Sequence, residues 1–222
     1  MTTTTKNPTT ATKSPATSGA DRIEISRVPS ETMLVPIVGT SPLIVHRFSE
    51  KARKQMLDAA QGNKPPREPK DPEAEYRAAF HRLKDGKPGF PATGFKAATV
   101  SAGRFFSGVT MTGLRQFLFF KGEIGADGVP LVRIEGEPRM REDVVTVNRG
   151  GSDLRYRPEF SEWSAVLEIV FVSSMITQGS VLSLVDGAGL GVGIGDWRPE
   201  KGGDFGTFRV DPTKDITVLS AS

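Results

Sequence analysis

Cysteine is absent from this chain of 222 residues, and histidine occurs only twice, as His46 and His81. The first absence excludes disulfides and thiolate metal sites, and it fits a reducing cytoplasm. The second leaves no spacing of imidazoles and carboxylates that would hold a metal, so neither a metal nor a cofactor is expected. No apolar run approaches the ~20 residues of a membrane span, and no charged-then-apolar leader opens the chain. A surplus of one charge is missing too. The 29 Lys and Arg set against 26 Asp and Glu leave a net +3, which allows a polyanionic partner without demanding one.

What the chain does have is glycine, and it crowds into one stretch, "GLGVGIGDWRPEKGGDFGTFRV", from Gly189 to Val210. Such a cluster is needed where something approaches the main chain closely. The dinucleotide fingerprint requires glycines at offsets 0, 2 and 5. Here Asp196 stands where Gly191 and Gly193 would need the third, and Ile194 where Gly189 and Gly191 would. No Gly-Lys-Ser/Thr ending exists for a phosphate loop, and "DFG" at Asp204–Gly206 lacks the catalytic loop that would make it a kinase motif. A helix before the loop and a strand after it leave two readings. In one, Trp197, Arg198 and Lys201 face a nucleic-acid backbone, with arginine gripping phosphate and tryptophan stacking on a base. In the other, the loop packs on its own sheet, with Trp197 as a plug and Arg198 paired to Glu200 or Asp196.

The rest of the chain reads as mixed strands and helices. Residues 1–20 are rich in Thr, Ser and Pro, cannot repay their ordering entropy, and are expected to form a disordered tail before a single domain over 21–222. "ETMLVPIVGTSPLIVHRF" predicts a strand, a kink at Gly39–Pro42 and a second short run. Helices are expected after Ser49, after Asp71 with Tyr76, Ala79, Phe80 and Leu83 inward, and after Thr93 with Phe95, Ala98 and Ala102 inward. "GLRQFLFFKGE" and "VPLVRIEGEP" read as strands, and "RMREDVVTVNRGGSDLRYRPEF" as an extended arm with a glycine tip at Gly150-Gly151. "SAVLEIVFV" reads as a central strand covered on both faces. A helix with Val181, Leu184, Val185 and Ala188 inward precedes the glycine loop, and two short strands follow it. Strands and helices that do not strictly alternate argue for α+β with an antiparallel sheet.

Two segments together resemble the repeat-associated mysterious protein (RAMP) superfamily. "FPATGFKAATVSAGR" is similar to its Pro-small-small-x-Lys helix entry, and "GVGIGDWRPEKGGDFGTFRV" to its C-terminal glycine-rich loop. Ala97 stands where that superfamily usually has glycine. The resemblance is closest to the backbone subunits of CRISPR effector complexes. It implies a ferredoxin-like, RRM-like sheet with helices on one face, binding to single-stranded RNA or DNA, and side-by-side assembly into a homo-oligomer or filament. The "GxWRPE…G.FG.F" ending also resembles a group of small tailed-phage proteins, which implies a phage protein acting in the host cytoplasm.

On an RRM-like sheet, strand alternation would put Arg115, Phe117, Phe119 and Lys121 on one face, basic residues flanking two aromatics. Core packing of the two phenylalanines is the alternative. Arg139, Arg141, Arg149, Arg155 and Arg157 with Tyr156 suit an arm that grips nucleic acid, while Glu142, Asp143 and Asp153 allow a solvated or subunit-contact hairpin instead. Lys96 and Arg104 fall in one quadrant of a helix, within reach of a phosphate or on a solvated face. Non-catalytic binding is the favoured reading. Its rivals are a phage structural or assembly protein and a metal-independent ribonuclease with His46, beside Arg47, as general base.

Overall fold

The computed structural model describes residues 25–63, 69–147 and 151–219. The expected tail over 1–20 and Arg149 with Gly150 at the arm's tip lie outside them.

The central sheet grows from β1 (Ser30–Gly39), whose inward residues Met33, Val35 and Ile37 alternate with outward ones. It pairs antiparallel with β10 (Ser164–Val172), Ser30 opposite Val172 and Val38 opposite Ser164. On its other side lie β11 (Phe208–Val210) and β12 (Thr217–Leu219), while β5 (Leu118–Phe120) pairs with β10. The strand order is therefore β11-β1-β10-β5. Helix α3 (Ala92–Ala102) lies in the chain between β1 and β5, and α5 (Gln178–Gly191) between β10 and β11. Two strand–helix–strand crossings with this order are consistent with a ferredoxin-like core. Both helices cover the same face. Phe95, Ala98 and Ala102 of α3 and Val181, Leu184, Val185 and Ala188 of α5 pack with Leu167, Ile169 and Phe171 in one buried cluster. Each large side chain buried there contributes about 1.5–3 kcal/mol.

The opposite face is open. Val166 of β10 is 52% exposed and Glu168 is exposed, so this strand is central but covered on one face only, contrary to its apolar run. Two further antiparallel sheets flank the core. One is β2-β9-β8, from β2 (Leu43–Ile44), β9 (Gly151–Phe160) and β8 (Pro138–Val147). The other is β3-β4-β7-β6, from β3 (His81–Arg82), β4 (Pro88–Pro91), β7 (Pro130–Arg133) and β6 (Glu123–Ile124). The kink predicted at Gly39–Pro42 joins β1 to β2. The indole N–H of the buried Trp163 donates to Ser41 O at 2.9 Å, and a Cβ on Gly39 would lie within that ring, 2.2 Å from its nitrogen.

Three local expectations change. The stretch from Met111 to Phe117 is a helix, α4, because the Thr110 hydroxyl accepts from Gly113 N–H and caps it, and extended backbone begins only at Leu118. The helix after Asp71 is α2 (Pro72–Ala78) and stops before Phe80, which enters the core from the connection to β3. Helix α3 starts on Pro91, with Thr93 inside its first turn. Further helical elements are α1 (Glu50–Ala60), as expected after Ser49, a 3-10 turn at Gly103–Phe105 that carries Arg104 out of α3, and a second 3-10 turn at Pro199–Lys201.

Glycine in a helix ordinarily costs about 1 kcal/mol relative to alanine. Gly179 of α5 faces open space, whereas a Cβ on Gly189 would sit 1.9 Å from Phe208 O, where α5 presses on β11. Gly179→Ala is expected to raise the melting temperature and Gly189→Ala to lower it, the reversal arising from the clash. Equal effects in thermal denaturation would contradict this packing.

Candidate nucleic-acid interface

Strand alternation sorts the arm's charges onto one face. Arg139, Arg141 and Asp143 follow one another at i, i+2 and i+4 on β8, and Arg155, Arg157 and Glu159 do so on β9. The register sets Arg139 opposite Glu159, Arg141 opposite Arg157 and Asp143 opposite Arg155. The like pair is tolerated because carboxylates interleave. Arg139 bonds Glu159, Arg141 bonds both Glu159 (2.7 Å) and Asp143 (2.9 Å), and Arg157 bonds both Asp143 and Asp196 (2.6 Å). His46 Nδ1 stands 3.4 Å from the same Asp196 oxygen. Arg157 is 1% exposed and Glu159 equally buried. Burial pushes the Glu159 carboxyl up, but hydrogen bonds from Arg141 and Arg139 outweigh it and hold the group below the usual range. Asp196 is likewise raised by burial and lowered further by His46 and Arg157.

The glycine loop is shaped by its own backbone. Gly206, with φ +67°, would carry a Cβ 1.8 Å from Ile194 O, and Gly195, with φ +77°, one 2.4 Å from Ile44 O. Asp196 N–H donates to Ile44 O at 3.0 Å, clipping the loop to β2. Between these anchors Trp197 has φ +55°, alone among the described non-glycine residues in being positive. A bulky residue there costs of order 1–3 kcal/mol and persists only where its surroundings hold it. Phe205 N–H donates to Trp197 O at 3.0 Å, and Gly203 packs so closely on that carbonyl that a Cβ would lie 1.9 Å away. The Trp197 side chain is 44% exposed, so it is no plug. Its ring lies 6.1 Å from that of Phe205, with Arg141 4.9 Å from the Phe205 centroid and Arg157 5.9 Å from that of Trp197.

Arg139, Arg141, Arg157 and Trp197 therefore meet where the arm joins the loop. Arg198 stands beside them, its guanidinium closed on Glu200 at 2.8 Å and on Gly195 O at 3.1 Å. Arg155 is half-buried and Lys201 exposed. The basic–aromatic stripe expected over 115–121 is broken up by α4. Arg115 is exposed on that helix, Phe117 packs against the core, and Phe119 alone of the two aromatics reaches the open sheet face. Lys96 joins this second cluster, its ammonium 4.9 Å from the Phe119 ring centroid and bonded to Arg115 O. Arg104 and Lys96 lie on separate elements, so they share no helix face. Sequence reasoning missed Phe205, Glu159 and the second histidine. Alternating Arg and carboxylate in each arm strand was the signal for Glu159. Nothing local pairs His81 with His46, yet both line a cleft of about 300 Å³ between α3 and the loop. Among the described residues no cluster of His, Asp or Glu is suited to a metal ion, and no helix is long and apolar enough to cross a membrane.

No family model matches the chain, and no curated protein does. Among solved structures it is similar to a chain of the cryo-EM structure of the Type III-B Cmr-beta complex bound to cognate target RNA. The TM-score is 0.49 at 8% identity, over 87% of this chain and 62% of that one, so this chain spans less than two thirds of the other's length. It is also similar to the crystal structure of Cmr6 from Pyrococcus furiosus, with a TM-score of 0.43 at 9% identity over 83% of this chain and all of that one.

Removing one partner from a buried ionic network leaves the other charges uncompensated, at about 3–5 kcal/mol. Arg157→Met is expected to destabilise by about that much near neutral pH. Because the Asp196 carboxyl is depressed in the folded state, in part by Arg157, that stabilisation is present above the unfolded value near pH ~4 and is lost as pH falls through the lower folded value. Denaturant unfolding should therefore show the gap between wild type and Arg157→Met narrowing in acid. A gap independent of pH would contradict the network.

Proposed function

We propose that the chain binds single-stranded nucleic acid, RNA or DNA, as a homo-oligomer and without cutting it. The observation that carries this reading is Trp197: half-exposed, held at a left-handed φ, and backed by Phe205 and two arginines. Strain kept at an exposed aromatic residue supports a role for that ring in contact, and aromatic faces beside guanidinium groups suit stacked bases next to phosphates. Carboxylates meet most of the arm's guanidinium charge, so phosphate contact falls to the exposed Arg139 and to Lys96, Arg115 and Lys201. Burial pushes the His81 imidazole toward its neutral form, which counts against its service as general acid to a His46-based ribonuclease. Phage origin and action in the host cytoplasm belong to the same proposal and rest on the sequence resemblance.

Affinity for a single-stranded oligonucleotide is expected to fall with salt, about 0.7 log unit per log unit of salt for each phosphate contact. Trp197→Gly should weaken it by about 1–3 kcal/mol, the worth of a base stack, while the melting temperature holds or rises because the φ strain is relieved. The oligonucleotide should be recovered intact. Absence of binding at low salt would leave the assembly-protein reading in its place.

Self-association has its own support in an apolar surface on the outer side of α5. Phe106 lies over Gly187 and Phe105 over Gly191, where a Cβ would meet their rings at 3.2 and 2.7 Å, and Leu190 is 80% exposed. Light scattering is expected to show oligomers that Leu190→Ser disperses. A wild-type monomer, with and without oligonucleotide, would remove this part of the proposal.

A further inference from the structure

The cleft that holds both histidines is lined by one side of α3 from Gly94 to Ser101, by β3 and β4, and by the loop from Val192 to Glu200. We propose that it receives one unstacked nucleobase from a strand lying over Trp197 and Phe205. The inference rests on the binding function above and adds a site to it.

Four features select a base over a phosphate. The cleft's volume of about 300 Å³ lies at the small end of ligand pockets and suits a single nucleoside rather than a dinucleotide. Phe90, Pro91 and Ile194 give it apolar walls, as a planar heterocycle requires. At its polar end stands the His81 imidazole. Burial favours the neutral imidazole, which can donate or accept at an uncharged edge. The cations, finally, are spent: Arg198 is closed on Glu200, and Asp196 already takes both Arg157 and His46. Little positive charge is left over for a phosphate.

Position completes the argument. Asp196 and Arg198 line the cleft and flank Trp197 in the chain, so a strand stacked on Trp197 passes its mouth. Turning one nucleotide out is least costly when the strand is already single, because no base pair is broken.

The probe is a single-stranded oligonucleotide carrying 4-thiouracil at random positions, made as RNA and as DNA and photo-crosslinked to the full chain. Crosslinks are expected on the peptides bearing His81 and Phe90 as well as on the loop at Trp197. Ala97→Leu plugs the cleft from an exposed position on α3 without loss of helix propensity. It should cut the His81 and Phe90 crosslinks about tenfold, as displacement of one base contact implies, and leave those at Trp197 and the melting temperature unchanged. If that variant is destabilised, Ser101→Val obstructs the same wall one helical turn on. Crosslinks confined to the Trp197 loop would overturn the pocket and leave the binding function standing. Crosslinks at His81 that persist in a folded, plugged variant would also overturn it, since the base would then lie outside the cleft. An oligonucleotide that fails to bind at all would overturn both.

Discussion

A guanidinium sealed from water has to be matched on the spot, and Arg157 sets that condition for much of this molecule. Taking one ion out of water costs several kcal/mol even after relaxation, and only close, well-directed partners return it. Asp143 on the neighbouring strand and Asp196 on the glycine loop are those partners. A slip of one residue between β8 and β9 would swing the arm's charges to the opposite face and strand Arg157. The same ion pair decides where the loop may lie, because Asp196 reaches Arg157 only while its backbone is clipped to Ile44. Arm register, loop position and the exposure of Trp197 follow from one buried cation.

This arrangement changes what a run of arginines means. Five in an arm suggest a positive surface, yet most of the charge on Arg141 and Arg157 is spent inward on three carboxylates. Guanidinium groups so anchored stay useful as flat, rigid supports beneath the aromatic rings, where orientation counts for more than net charge.

Much of the architecture was legible in the sequence because it rests on period and punctuation. The alternation in β1, the helical stripe of α5, the Gly39–Pro42 kink and the arm hairpin all announce themselves within a few residues. The failures share a cause. The stretch from Arg115 to Phe119 has the composition of a strand, and one hydroxyl cap at Thr110 was enough to turn its first half into helix. The apolar run of β10 hides an open face, since valine is equally content half-exposed. At the candidate site, Trp197 and the arm arginines could be singled out by residue type. Their partners could not, because Phe205 and Asp196 meet the arm arginines only through the fold. The glycine cluster raised the right question, and its answer lies in main chain meeting main chain at Ile44, Ile194, Trp197 and Phe208.

The strand order also governs when the molecule can fold. Ser30 meets Val172 and Thr32 meets Leu219, so β1 has no sheet partner until most of the chain has been synthesised. At ordinary translation speeds that wait is on the order of ten seconds, during which Met33, Val35 and Ile37 have no native cover. The arm hairpin, joined by a short connection, can close meanwhile, and contacts this distant in sequence slow the final step. The nascent chain thus presents an early, unpaired apolar strand, which makes β1 the segment where a chaperone would engage and where aggregation would begin.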